Sequence, residues 1–340
     1  MASAIHRFQG LKALAYADHL RLIAQGGLPV PLVWHIYPTN RCPNDCTFCI
    51  MRKERQQAVD LDPDLLLMAV EQAAASGARA VEFSGGGEPL LHHYLVVAMW
   101  RAKTLGLKVG VTTNGVPAGL SPALARQVAE AADYIRLSLN AGDPDTYEQI
   151  HRAKNWRAAW NGGKMFSEYR GKADFGVAFV LVPENLDSLA PFLELAAAWK
   201  ADFAHVRPAW WPERDGEIRA AAEVAGRQIT ALRAHLPHLQ IHFGADKLAG
   251  KWSGLPYQEC RATPLLAVVK ANGRFCICQD RTDLTFGHVG RGFQASWLSS
   301  EHLEAMAAIR LQDCPRCVEG AKNELIEQAF LRDGLRLDLV

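Results

Sequence analysis

The sequence predicts an α/β protein: a parallel sheet, open or curved into a partial (β/α)6 barrel, followed by a small α+β module built on a β-hairpin. Three observations predict it. From residue 34 onward, short apolar runs alternate about six times with longer amphipathic stretches, the rhythm of strand–helix–strand units in a parallel sheet. The residues just past successive runs are cysteine, glycine, threonine and asparagine rather than apolar, and parallel sheets hold their ligands at those strand ends. Near residue 247 the rhythm shortens, and Asn272-Gly273 between two brief apolar runs signals a hairpin.

Taken in order, strands are expected at 34–37, 80–83, 107–111, 134–139, 174–181 and 203–207, with an additional one at 240–243. Asp62 as N-cap and Pro63 at the first helical position open a helix, continued by Leu65, Leu66, Met68 and Ala69 and closed near Gly77. Ser121-Pro122 repeats that start signal, and Asn185 is expected to cap a helix running to Trp199. Lys247 to Gly254 reads as a connector. The expected organisation is therefore a helical extension over 1–33, the partial barrel over 34–246, and a C-terminal module over 247–340. In that module, strands at 265–270 and 274–278 flank the Asn-Gly turn, and a helix over about 299–311 closes it.

Composition narrows the function. Of 340 residues, 49% are hydrophobic and 21% charged, proportions that exclude a disordered or fibrous chain. The 37 basic and 36 acidic residues leave a net charge of +1, which lacks the basic footprint of nucleic-acid and anionic-membrane binders. His6, Arg7, Lys12, Asp18, His19 and Arg21 interrupt any signal-peptide core. No uncharged apolar run of roughly 18 residues occurs, so no membrane span is expected. A cytoplasmic location follows. The eight cysteines fall in two groups, Cys42, Cys46 and Cys49 near the start and Cys260, Cys276, Cys278, Cys314 and Cys317 near the end. Clustered thiols in a reducing compartment point to metal or redox chemistry rather than disulfides.

Three thiolates at i, i+4 and i+7 can ligate three irons of a cubane cluster and leave the fourth iron open. A structural zinc site would instead need a fourth ligand, for which His35 is available. Cys42-Pro-Asn-Asp-Cys46-Thr-Phe-Cys49, with an aromatic residue directly before the last cysteine, resembles the cluster loop of the radical S-adenosylmethionine (radical SAM) superfamily. Gly86-Gly87-Glu88-Pro89 after the second strand is similar to that superfamily's methionine-binding "GGEP" element, where glycine lets the backbone approach the ligand closely. The resemblance further implies that Thr113, Asn114, Ser138 and Asn140 line the ribose and carboxylate region, with Phe48 near the adenine. It also implies a [4Fe-4S] cluster whose open iron binds S-adenosylmethionine, cleavage of the sulfonium by one electron, and a 5′-deoxyadenosyl radical that abstracts a substrate hydrogen in a site closed to water.

For the second group, Cys276-Ile-Cys278 with Cys314-Pro-Arg-Cys317 could form a zinc ribbon. Read from Cys260 through Gly273 to Cys278, the pattern resembles instead the auxiliary-cluster domains of radical SAM enzymes called SPASM and, when shortened, twitch; Gly287-His288-Val289, Phe293 and Trp297 are similar to the segment before their last cysteine pair. No further cysteine follows Cys317, so one auxiliary [4Fe-4S] cluster is implied, held by Cys260, Cys278, Cys314 and Cys317. Cys276 is a possible substitute ligand or a buried thiol, and a strand's period of two would point it to the same side as Cys278.

Such a cluster can accept or relay an electron, which makes substrate oxidation the expected outcome. The first expectation is an oxidoreductase acting on a small sugar, aminocyclitol or nucleoside. Its rival is a peptide-modifying maturase or epimerase, against which the absence of an evident winged-helix leader-binding domain before the first strand counts. A non-catalytic iron-sulfur electron-transfer or sensing protein is the third. Implied partners are the small-molecule or peptide substrate and an electron donor such as flavodoxin or ferredoxin, without membrane or nucleic acid. Arg136, Glu184, His205 and Arg207 near strand ends could orient a polar substrate, and Trp156, Trp160, Trp210 and Trp211 could wall the site.

Overall fold

Asp62, Pro63 and Gly77 act as local chemistry dictates: the Asp62 carboxylate accepts the backbone N–H groups of Asp64 and Leu65, and Gly77 closes the helix Pro63–Ser76 at φ 90°, where a side chain would be strained. The computed structural model describes residues 10–244, 257–314, 317 and 319–331. The connector at 247–254, the 246/247 boundary and the first nine residues lie outside the described residues.

Ten strands share one sheet. They are β1 (Val33–Ile36), β2 (Ala80–Phe83), β3 (Lys108–Thr113), β4 (Tyr134–Ser138), β5 (Asp174–Leu181), β6 (Phe203–Pro208), β7 (Gln240–Phe243), β8 (Leu266–Val269), β9 (Phe275–Cys276) and β10 (Thr285–Phe286). The order is β10-β9-β8-β1-β2-β3-β4-β5-β6-β7. From β8 to β7 every neighbour is parallel, and only β9 and β10 run antiparallel. This is the parallel core expected of a partial barrel, with small strands at the C-terminal end.

The hairpin is not a separate sheet. β8 pairs in parallel with β1, Val33 opposite Leu266 and Ile36 opposite Val269, so the chain returns beside its own first strand. An aromatic cluster seals the join. Trp34 of β1 lies 5.5 Å from the Phe275 ring and 4.8 Å from that of Phe293, and Trp297 donates from Nε1 to Pro29 O at 3.1 Å. The helix Ala17–Ala24 joins the C-terminal module as well, through a buried cluster of Ala13, Leu20, Ile23, Ala262, Leu265 and Ile326.

Two helix expectations change. Asn185 does not cap a helix; it sits in a short 3-10 turn, Pro183–Ser188, before the helix Leu189–Ala198. Its amide accepts from Val182 N and donates to Asn140 O and Val180 O, tying the ends of β4 and β5. The closing helix spans Ser300–Ala307, with Ser299 as its cap, and ends short of residue 311. No helix among the described residues is long and apolar enough to cross a membrane.

Candidate active site

The loop leaving β1 folds back on itself before it presents its cysteines. Asn40 N donates to Val59 O and Leu61 N to Pro38 O, both at 2.8 Å, while Arg41 forks onto Asp60 at 2.9 and 2.7 Å. Cys42, Cys46 and Cys49 then line one cavity together with Phe48 and the Gly85–Gly86–Gly87–Glu88 turn after β2. Thr113, Asn114, Ser138 and Asn140 complete the same lining. Pro89 stands behind it, buried, at the start of a short 3-10 turn, Pro89–Leu91.

The glycines serve the two loops as much as any ligand. A Cβ on Gly87 would lie 2.1 Å from Arg41 O, and one on Gly86 would lie 2.4 Å from Asn40 Oδ1. Lacking side chains, the turn packs directly on the cysteine loop, with Gly87 N donating to Thr39 O and Glu88 N to Arg41 O. Glu88 is buried, and its carboxylate accepts from Thr113 Oγ1 (2.6 Å), Asn114 N (2.7 Å) and Leu90 N (3.1 Å). Burial pushes its pKa up to about 7 against those donors. Asn114 Nδ2 lies 3.7 Å from Cys42 Sγ. Asn140 takes a left-handed φ of 60°, tolerated by asparagine, and accepts from Val180 N at 2.8 Å.

His151 belongs to this site, and no motif announced it. It ends the helix Pro144–His151, is buried, and places Nδ1 2.9 Å from Cys46 Sγ and Nε2 2.9 Å from Leu139 O. Burial lowers its pKa to about 4, so the ring is neutral; with Nε2–H donated to the carbonyl, Nδ1 is the atom facing sulfur. The helix's last carbonyls also hold the loop, since Asp45 N donates to His151 O and Thr47 N to Ile150 O. The Phe48 ring meets His151 edge-on at 5.9 Å.

Burial raises the Cys42 thiol to about 11 and lifts Cys46 further above its ordinary value. A bound cationic metal group reverses that preference, because a coordinating thiol is deprotonated outright. Three thiols lining one cavity suit three irons of a cubane cluster. His35 does not join them: its Nε2 lies 2.7 Å from Gln279 Nε2 and its Nδ1 3.6 Å from Glu82.

In the second group, Cys260 and Cys317 both place Sγ 3.7 Å from Asn323 Nδ2. Asn323 is itself held by Arg261 N and Ala262 N. Burial raises the Cys314 and Cys317 thiols, and Arg281 and Tyr257 respectively oppose that rise. Beyond burial, Cys278 has Cys260 among its electrostatic neighbours, as Cys260 has Cys317 and Cys314. Cys276 stands apart. It is buried beside Lys270 and Glu54, with its thiol raised to about 12 by burial. The expected strand alternation does not govern the pair, because β9 ends at Cys276 and the chain bends at Ile277.

Of the polar and aromatic candidates, Arg207 and Trp210 line the same cavity as the cysteines. Arg136 is turned to Glu82 at 3.7 Å, and Glu184 pairs with Arg214 at 2.7 Å. His205 sits on β6 opposite Ala178 of β5. Trp211 stacks under Arg214, Trp156 packs on Tyr147, and Trp160 on Trp199, so these three serve packing rather than a substrate wall.

Residues 36–196 match the family model described as the radical SAM superfamily. Among curated proteins, the PqqA peptide cyclases of Xanthomonas oryzae pv. oryzae (strain MAFF 311018) and Xanthomonas axonopodis pv. citri are 29% and 28% identical over 213 residues, 60% of this chain and 54% of theirs. The chain thus spans about half the length of these curated relatives. Among solved structures, Streptococcus suis SuiB bound to precursor peptide SuiA is similar with a TM-score of 0.67 at 17% identity, covering 88% of this chain and 72% of that one. Native anSMEcpe with bound AdoMet and Cp18Cys peptide is similar with a TM-score of 0.59 at 14% identity, covering 86% of this chain and 88% of that one. At such identities the likeness is one of fold.

Proposed function

The chain belongs to the radical SAM superfamily, and from that premise we propose that it is a peptide-modifying enzyme. The family binds a [4Fe-4S] cluster and S-adenosylmethionine, which when bound supply one-electron cleavage of the sulfonium and hydrogen-atom abstraction. The observation that carries the reading is one cavity lined by Cys42, Cys46 and Cys49 and also by Arg207 and Trp210.

Each residue then has a task. Cys42, Cys46 and Cys49 hold the metal group, with His151 and the helix end behind Cys46 fixing the loop. The backbone of Gly86 and Gly87 receives the amino end of the cofactor, and Thr113, Asn114, Ser138 and Asn140 its polar middle. Phe48 gives a ring for the adenine. Cys260, Cys278, Cys314 and Cys317 hold an auxiliary [4Fe-4S] cluster that accepts or relays an electron.

The relatives and neighbours named for peptides support a peptide substrate better than the sugar, aminocyclitol or nucleoside expected from the sequence. An oxidative outcome and an electron donor of the flavodoxin or ferredoxin kind belong to the same proposal. The test is anaerobic incubation of reconstituted protein with S-adenosylmethionine, reductant and short peptides encoded beside its gene. A peptide lighter by hydrogen atoms, or bearing inverted residues, with matching 5′-deoxyadenosine, is expected. Turnover of sugars but of none of the peptides would overturn the peptide reading.

A further inference from the structure

Two adjacent residues beyond the third cysteine of the first loop reach in different directions. In the short 3-10 turn Glu54–Gln56, Glu54 pairs with Lys270 of the C-terminal hairpin at 2.8 Å, and both side chains are mostly buried, 26% and 13% exposed. Thr282 Oγ1 donates to the same carboxylate oxygen at 3.2 Å, and Lys270 Nζ also donates to Thr282 O at 2.9 Å. Asn40 Nδ2 donates to Glu54 O at 2.9 Å, fastening the turn to the start of the cysteine loop. The next residue, Arg55, places Nη1 3.7 Å from Cys49 Sγ and also bonds Asn44 O. One turn therefore grips the hairpin with Glu54 and the first cysteine group with Arg55.

We propose that the Glu54–Lys270 pair is a positioning device: by anchoring this turn to the hairpin it keeps Arg55 against Cys49 and so sets the reduction potential of the metal group held there. The inference rests on the reading that Cys42, Cys46 and Cys49 hold a cluster. Its physical basis is electrostatic. Reduction adds one negative charge beside Cys49, and a guanidinium held near that sulfur in a low-dielectric site favours the more negative state. A loosened turn withdraws the cation, and reduction becomes harder. The pair also joins the two cysteine-bearing parts of the chain, because β8, which ends one residue before Lys270, lies beside β1.

The test is an EPR-monitored redox titration of the first cluster in reconstituted wild type, Glu54→Gln, Lys270→Met, the double variant and Thr282→Val, with thermal melting in parallel. Positioning through Arg55 predicts that Glu54→Gln and Lys270→Met both lower the midpoint, by about a tenfold fall in reduced-to-oxidised ratio at fixed potential, or about 59 mV for one electron. The double variant is expected to match either single one. Thr282→Val, which changes no charge, is expected to shift the same way by less; it carries the test if the charged variants do not fold. A charge effect alone predicts opposite signs for Glu54→Gln and Lys270→Met, and that result would overturn the inference, as would unchanged midpoints with lowered melting temperatures. A wild type that takes up no iron at Cys42, Cys46 and Cys49 would instead overturn the cluster reading, and the inference with it.

Discussion

Thr113 Oγ1 donates to the buried carboxylate of Glu88 at 2.6 Å, a bond that joins the turn after β2 to the end of β3 beside the first cysteine loop. Glu88 thereby acts between loops. Its carboxylate also takes the backbone N–H of Asn114, whose side chain reaches Cys42, so the position of that thiol depends on a residue that does not touch it.

Burial raises the Glu88 pKa from its ordinary 4.5 to about 7. A carboxyl whose folded value lies above its unfolded one contributes stability that is full below about pH 4.5 and lost as pH rises through about 7. The melting temperature of the iron-free protein is therefore expected to fall between pH 5 and 8, and Glu88→Gln is expected to flatten that part of the profile. Thr113→Val leaves a buried acceptor one donor short, at a cost of about 1 to 3 kcal/mol, measurable by denaturant unfolding.

Gly87→Ala tests the packing of the glycine turn on the cysteine loop. The added Cβ meets Arg41 O at 2.1 Å, and backbone on both sides has little room to yield. A destabilisation of about 1 to 3 kcal/mol is expected, together with lower iron retention on reconstitution. Unchanged melting and iron content would show that the two loops separate easily.

Cys276 and Cys278 are expected to behave differently despite their spacing. Cys278→Ala should remove the auxiliary cluster, lowering iron from about eight to about four atoms per chain, the content of two cubanes and of one. Cys276→Ala should leave iron unchanged and cost about 1 kcal/mol through the buried space it vacates. Replacing Cys42, Cys46 and Cys49 together should also leave about four irons, now of the auxiliary cluster alone. Iron quantitation with EPR of the reduced samples reads all three.

His151→Ala removes a buried ring that spans Cys46 and Leu139 O. The cavity and the orphaned carbonyl together should cost about 2 to 4 kcal/mol. In the iron-free protein, alkylation of Cys46 is expected to quicken relative to Cys42, which thiol labelling and mass spectrometry would show.

Much of this protein was legible in the residues because the deciding interactions are local. The bounds of β2, β5 and β7 follow from their apolar runs, and the helix Pro63–Ser76 from a cap, a proline and a glycine within one stretch of chain. The spacing of Cys42, Cys46 and Cys49 and the Gly86-Gly87-Glu88-Pro89 turn likewise carry their chemistry in sequence, since each comes from a single loop. Asn185 misled because an asparagine ahead of an apolar run signals a helix cap, whereas its amide is used across two strand ends.

What the tertiary structure decided are relationships between residues far apart in the chain. His151 reaches Cys46 across 105 positions, Asn323 brings Cys260 and Cys317 together across 63 and 6 positions, and Lys270 meets Glu54 only because β8 returns to lie beside β1. The separation of Cys276 from Cys278 follows from where a two-residue strand ends. Local patterns of capping, turn chemistry and thiol spacing are written in neighbouring side chains, so the sequence alone determined the barrel's repeating units and the two groups of cysteines. Which thiols face one another, and what stands behind them, depends on chain closure over long separations, and that only the folded sheet supplies.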